Sequence, residues 1–352
     1  MMPRLPMRRA SLAAACAVAM PLCSCGHAPE YAGRVIVDLN RTACGEARLS
    51  SVLADSGREA LLRPDVNGVY SFVSDTLPAD IYVLSIDSVH RLPIVVSPGR
   101  GQKVCGTLRE WGSLSTSDAE TAAALAAERL RLRLSAARDT SLPAAALATS
   151  DGRRRAADSL MSVRASARVE ADMLLRGLAD TSLASLPILS LPGIYAADSD
   201  NQMLLRRMTA LAGRFPGVSV LSSRRDFLGS VSRLNGLRRR YSAGEPWPDF
   251  LFVSAAGDSL SAADVAGKPV ALALLADSVS TPAKSAARVG RIAASGVRVL
   301  IEAADSEAAP AARNIVFGRF ERLELKRDLE MFRPAIVSCG KDGTVDGLTI
   351  DK

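Results

Sequence analysis

The chain has 352 residues, 48% of them apolar and 23% charged, with a formal net charge of +7. These proportions are those of an ordinary globular protein and exclude a collagen, a coiled coil, a disordered chain, a polytopic membrane protein and a disulfide-dense miniprotein. The positive balance is spread along the chain and is not gathered on a recognisable nucleic-acid-binding module, so no nucleic acid partner is expected.

A basic stretch ends at Arg9, an apolar run follows from Leu12 to Leu22, and Cys23-Ser24-Cys25-Gly26 comes next. The run is shorter than the roughly 20 residues a bilayer-spanning helix needs, and its plan is that of an export leader. Leu22 stands three residues before Cys25, which resembles the lipobox of bacterial lipoproteins. The resemblance implies a signal peptide over residues 1–24, an acylated N-terminus at Cys25 and a lipidated tether over 25–30. Two or more acyl chains anchor a protein stably. The lipid bilayer is then a partner, and the body lies in the cell envelope, in the periplasm or at the cell surface. An ordinary secretory signal cleaved nearby is the alternative. Loss of Arg4, Arg8 and Arg9 with the leader, which carries no acid, reduces the net charge to +4.

Residues 31–115 read as a small antiparallel β-domain, a sandwich or barrel. Strand runs cover Gly33–Leu39, Val69–Val73 after the Asn67-Gly68 turn signal, Ile81–Ile86, Leu92–Val96 and Lys103–Leu108. The opening strand, Asn67–Phe72, Tyr82–Leu84 and Val104–Thr107 resemble a small β-domain of unknown function found ahead of thioredoxin-like domains in envelope lipoproteins. In an exported protein Cys44 and Cys105 are a candidate disulfide. Unpaired, buried cysteines are the other reading.

Residues 116–243 read as a central helical region, with Pro143, Pro187, Pro192 and Pro216 dividing it. It holds 19 arginines against 12 acids, whereas the rest of the mature chain has 22 basic residues against 25 acids. The clusters Arg153–Arg155 and Arg238–Arg240 are either a surface for anionic partners or solvated cations near helix C-termini, where the macrodipole favours them.

Residues 244–352 begin with Gly244-Glu245-Pro246-Trp247-Pro248-Asp249-Phe250, followed by Gly257-Asp258, Asp264, Gly267-Lys268 and an apolar strand over Val270–Leu275. Asp342-Gly343 follows Pro334. These positions resemble the opening and close of envelope thiol–disulfide oxidoreductases and thiol-specific antioxidant proteins. The resemblance implies a C-terminal thioredoxin-like α/β domain with a cis-proline groove at Pro334. The residues themselves predict strands at Phe250–Val253, Val270–Leu275, Val297–Ile301, Pro334–Cys339 and Thr344–Ile350, with helices over Pro282–Ala294 and around Ala308–Phe317. The fold class is therefore multi-domain α/β, with an antiparallel β-domain, a helical region and a thioredoxin-like domain.

In the same register the two active-site cysteines of these families fall on Val279 and Pro282, vestigial positions with no sulfur. Thiol exchange needs an activated thiolate and a second sulfur to resolve the mixed disulfide. No cysteine lies between Cys105 and Cys339, so no shift of register restores either one. Ser280 and Thr281 carry hydroxyls, but the mature histidines, His27 and His90, lie far away in sequence. No metal-ligand spacing, phosphate loop or nucleophile elbow appears, and neither metal nor cofactor is expected. The expectation is a membrane-anchored envelope lipoprotein whose degenerate thioredoxin-like domain is a non-catalytic binding or structural module for a protein or peptide. The alternative is a thiol–disulfide oxidoreductase or peroxide reductase in envelope redox homeostasis, working through Cys339 or through Cys44 and Cys105.

Overall fold

The computed structural model describes residues 33–350 except 43–44, 55–58, 88–89, 140–148, 277–282 and 304–311. Two four-stranded sheets come first. They are built from β1 (Arg34–Asp38), β2 (Ala47–Ser51), β3 (Glu59–Leu62), β4 (Val69–Val73), β5 (Asp80–Ser85), β6 (Arg91–Val96), β7 (Gln102–Cys105) and β8 (Ser115–Thr116). Their orders are β4-β1-β7-β8 and β3-β2-β5-β6. Strand β1 alternates, burying Val35 and Val37 against Tyr70, Tyr82, Leu84 and Ile94. The expectation of a purely antiparallel domain is corrected here: β1 and β7 pair in parallel, Val35 opposite Gln102 and Asp38 opposite Cys105. The long connection between these two strands through the second sheet allows it, since parallel neighbours require a crossover. Strands β2 and β3 were not anticipated, because ARLSS and EALL carry no β-branched alternation.

Asp80 opens β5 almost wholly buried. Its carboxylate accepts hydrogen bonds from the Ile81 amide at 2.6 Å, from the Leu53 amide at 3.1 Å and from the Ser51 hydroxyl. Burial raises its pKa. Strands β5 and β6 are apolar on both sides because Ile81 and Val95 face away from the sandwich, into the helical core.

That core is made by α1 (Ala119–Asp139), α2 (Ser150–Arg176), α3 (Ser185–Leu189), α4 (Asn201–Arg214) and α5 (Ser219–Arg240). Asp118 caps α1, accepting from the Thr121 amide at 2.8 Å, and Thr149 caps α2 through the Gly152 amide at 3.0 Å. Arg168 binds Asp172 and Asp200 and stacks over Tyr195, tying α2 to the start of α4. Arg207, 4% exposed, donates to the Leu175 carbonyl at 2.6 Å, a cation placed at the C-terminus of α2. Arg238–Arg240 occupy the last turn of α5, whereas Arg153–Arg155 lie near the start of α2, the end the macrodipole disfavours. Among the described residues no helix is long and apolar enough to cross a membrane.

The C-terminal sheet comprises β9 (Phe250–Ser254), β10 (Ser259–Ser261), β11 (Val270–Leu274), β12 (Arg298–Glu302), β13 (Ile315–Leu323), β14 (Ala335–Cys339) and β15 (Val345–Ile350), with α6 (Ala283–Ala294) and α7 (Lys326–Met331). Its order is β10-β9-β13-β12-β11-β14-β15. Strands β11, β12 and β13 run parallel, and β14 returns antiparallel beside β11. All five residues of β11 are buried, since α6 covers one face through Val289 and Ala293. The other face packs on Phe250, Phe252, Phe320 and Leu329, and on Leu237 and Tyr241 from the end of α5. The helix expected around Ala308–Phe317 is corrected in its described part: Ile315–Phe317 begin β13, a nine-residue strand whose β-branched and aromatic residues suit a pleated surface.

Arg240 fixes α5 to this sheet by a two-pronged ion pair with Glu324, at 2.8 and 2.6 Å. The Tyr241 hydroxyl donates to the Glu324 carbonyl. Trp247 reaches the turn before β15, its indole N–H donating to the Gly340 and Thr344 carbonyls at 3.0 Å each.

Asp80→Ala leaves two buried amides and a hydroxyl unsatisfied and lowers unfolding free energy by at least about 2 kcal/mol in urea titrations. Asp80→Asn, which keeps an acceptor for the amides, costs less than about 1 kcal/mol at neutral pH. The native pKa is raised, so the wild-type side chain contributes most below its unfolded value near about 3.9 and loses that contribution as pH rises through the native value. Asn removes this dependence.

Candidate functional site

Parallel strands leave their loops at one edge of a sheet, and the C-terminal ends of β11 and β12 define that edge here. The Leu275 amide donates to the Glu302 carbonyl at 2.8 Å and holds the two strand ends together. The next residues of interest, Val279, Ser280, Thr281 and Pro282, lie outside the described residues, as do Cys25, His27 and Cys44. Directly across the edge, the peptide bond between Arg333 and Pro334 is cis, and β14 begins at the following residue.

Glu302 is the hub of the edge. Its carboxylate accepts from the Phe320 amide at 2.7 Å, from Lys326 Nζ at 2.9 Å and from Arg333 Nη2 at 3.0 Å. Lys326 also donates to the Phe320 carbonyl at 2.6 Å. Glu330 sits 3.4 Å from Arg333 and 3.8 Å from Lys326, making a formally neutral cluster of two cations and two anions. The side chains of Glu302, Lys326 and Arg333 are 13%, 20% and 25% exposed, so their charges interact in a partly dry environment. Arg333 Nε is buried with no partner. Leu325, between the α5-binding Glu324 and Lys326, has φ of 54°, a left-handed conformation held by contacts on both of its neighbours.

Lys326 and Arg333 are both committed to carboxylates, so the cluster positions the chain around Pro334. Sequence reasoning did not find Glu302, Lys326 or Arg333. The only local signal was a carboxylate ending the apolar run Val299–Ile301, and partners 24 and 31 residues away leave no pattern.

Cys339 lies at the other end. It is opposite Val270, the first residue of β11, whereas Leu274 at the Pro334 edge is opposite Ala335. Four residues of strand separate it from that edge, about 13 Å. The thiol is 1% exposed among Leu237, Tyr241, Phe250 and Val345. Burial, reinforced by Asp346, pushes its pKa up to about 12. Cys105 is half-buried at the end of β7, opposite Ser115, in the first domain. His90 is hydrogen-bonded through Nδ1 to Asp87 at 2.6 Å and packs against Trp111 there. Among the described residues no group of three or more His, Cys, Asp or Glu is placed to hold a metal ion.

No protein-family model and no curated protein matches the chain. Among solved structures it is similar to the exposed lipoprotein thioredoxin of Streptococcus pneumoniae, with 16% identity, a TM-score of 0.22, and 30% of this chain and 90% of that one covered. It is similar to the thioredoxin domain of a thiol–disulfide oxidoreductase from Bacteroides vulgatus, at 15% identity and TM-score 0.23, over 32% and 90%. A thiol peroxidase from Chromobacterium violaceum matches at 15% identity and TM-score 0.24, over 31% and 76%. The likeness thus spans under a third of the chain, and at these values it assigns no activity.

Glu302→Ala strands Lys326 and Arg333 beside one another and lowers stability by about 2–3 kcal/mol, below the cost for a fully buried pair because water reaches these side chains. Glu302→Gln, which still accepts from the Phe320 amide, costs about half as much. Urea unfolding of the two variants measures both.

Proposed function

We propose that this chain is an exported lipoprotein, acylated at Cys25, whose residues 244–352 form a thioredoxin-like domain that binds a partner and does not exchange disulfides. The observation that carries the reading is the distribution of sulfur. At the edge where the resemblance puts the reactive pair, the sequence has Val279 and Pro282. Valine has no nucleophilic atom, and proline has neither sulfur nor an amide hydrogen. The one cysteine of this domain is enclosed at the opposite end of the strands with its pKa raised, so almost no thiolate forms near neutral pH.

The scaffold around the edge is nevertheless kept. The Glu302 cluster holds Arg333, the cis bond precedes β14, and β11 ends beside it. Such an edge takes an extended segment by main-chain pairing, with side-chain pockets giving selectivity. A partner peptide next to Pro334 therefore requires no sulfur chemistry. The leader supports the anchored location, through the basic stretch, the apolar run and Leu22 three residues before Cys25.

Insulin reduction with dithiothreitol as electron source tests the redox half of the reading. The protein gives no turnover above the reductant alone, and Cys339→Ser and Cys105→Ser change nothing. Val279→Cys/Pro282→Cys introduces turnover. Wild-type turnover lost in either serine variant establishes the enzymatic alternative, and no gain in the double-cysteine variant removes the register on which the reading rests. Intact mass of membrane-extracted protein tests the anchor: the expected N-terminus is a modified Cys25, and an unmodified terminus elsewhere contradicts it.

A further inference from the structure

We infer that the outer face of α2, with the groove it shares with α1, is a docking surface for an anionic bilayer. The 27 residues of α2 extend about 40 Å. On the side away from the helical core, Met161, Ala165, Val169 and Met173 follow one another at intervals of four, one helical stripe. Met161, Val169 and Met173 are 66%, 60% and 58% exposed. Helices of a monomeric soluble body normally turn such a stripe inward. Here the inward face is already supplied by Ala167, Ala171 and Leu175. The stripe continues sideways into a groove of about 290 Å³ lined by Ala126, Leu130, Glu170, Met173 and Leu174.

Charge on this face selects the occupant. Arg154 and Arg155 stand exposed before the stripe and Arg176 after it. Arg154 and Arg176 have no carboxylate partner among the described residues, and Arg155 only donates to the Asp151 carbonyl at 3.4 Å. Across the groove, Arg129 is exposed and binds the Leu114 carbonyl, while Arg133 neutralises Glu170 at 2.8 Å. Among the described residues Asp151 and Asp158 are the unpaired carboxylates here, and Asp172 shares Arg168 with Asp200, so with Arg129, Arg154, Arg155 and Arg176 the face is net positive around an apolar centre. Shallow apolar side chains framed by arginines fit the interface of an anionic membrane, with guanidinium groups at the phosphates and the stripe at the acyl boundary. The surface deepens the anchored-lipoprotein reading and rests on it for access to the membrane, since a tether of a few residues keeps the body close to the bilayer. Its affinity for vesicles is a separate property.

The test uses the full chain carrying Cys25→Ser, so that no acyl chain contributes, with sedimentation on vesicles of phosphatidylglycerol and phosphatidylcholine or of phosphatidylcholine alone. Binding is expected on the anionic vesicles only, and about 0.5 M salt abolishes most of it. Arg154→Glu/Arg155→Glu/Arg176→Glu lowers partitioning at least about tenfold. Met161→Ser/Val169→Ser/Met173→Ser lowers it comparably, with thermal midpoints unchanged because these side chains are exposed. Binding that survives both triple variants comes from the leader and overturns the surface, as does equal binding to neutral vesicles. Self-association without lipid that disappears in the Met/Val variant makes a second copy the occupant and overturns it equally. A Cys25→Ser chain that binds through this face, alongside a wild-type protein found without acyl chains, retains the surface and rejects the anchor.

Discussion

The antiparallel register between β11 and β14 is the constraint on which the rest turns. It places Ala335 opposite Leu274 and Cys339 opposite Val270. One edge of the sheet therefore receives the cis bond at Pro334 and the Glu302 cluster. The other end receives Cys339, the one cysteine in the sequence of this domain. A shift of one residue would turn half-buried Ser338 toward the face that buries Val337 and Cys339, so the pattern of β14 against the fully apolar β11 enforces the separation.

The helical block is coupled to this sheet by a shared helix. In its first half α5 buries Leu221 and Leu228 in the helical core, and near its end Leu237 and Tyr241 complete the sheet's core. Burial of those two side chains supplies most of the attachment, while the Arg240–Glu324 pair, partly exposed, fixes the angle of entry. The Arg240 hydrogen bonds hold the Glu324 carboxyl below its usual range. Glu324 then bears on both units: its carbonyl takes the Tyr241 hydroxyl, and Lys326, two residues on, enters the Glu302 cluster. The residue that receives the end of α5, Glu324, and the one that enters the Glu302 cluster, Lys326, are thereby two positions apart along the chain.

What could be read from the sequence followed from local pattern. Strands β1, β4, β11 and β14 announce themselves through alternating or continuous apolar runs, and α6 through its periodicity. β13 resisted because the surrounding Ala308–Arg313 segment has helix-forming composition, while its own strand character resides in Ile315–Phe320 and is confirmed only by partners on β9 and β12. The parallel pairing of β1 with β7 was equally hidden, since pairing direction depends on how the intervening sheet folds across. Glu302 shows the same limit at the site. A glutamate at a strand end is ordinary, and only the fold brings Lys326 and Arg333 onto it. The absence of sulfur at positions 279 and 282, by contrast, was legible directly.

The most direct test of this account is native-state labelling of Cys339 with a thiol reagent across a urea series, resolved by peptide mass. If the thiol is enclosed at the far end of β11 and β14, Cys339 reacts only when the sheet opens globally, and its labelling rate rises with urea on the slope of global unfolding. Fast labelling of Cys339 in the absence of urea, independent of denaturant, would place a reactive thiol at the surface and contradict the account.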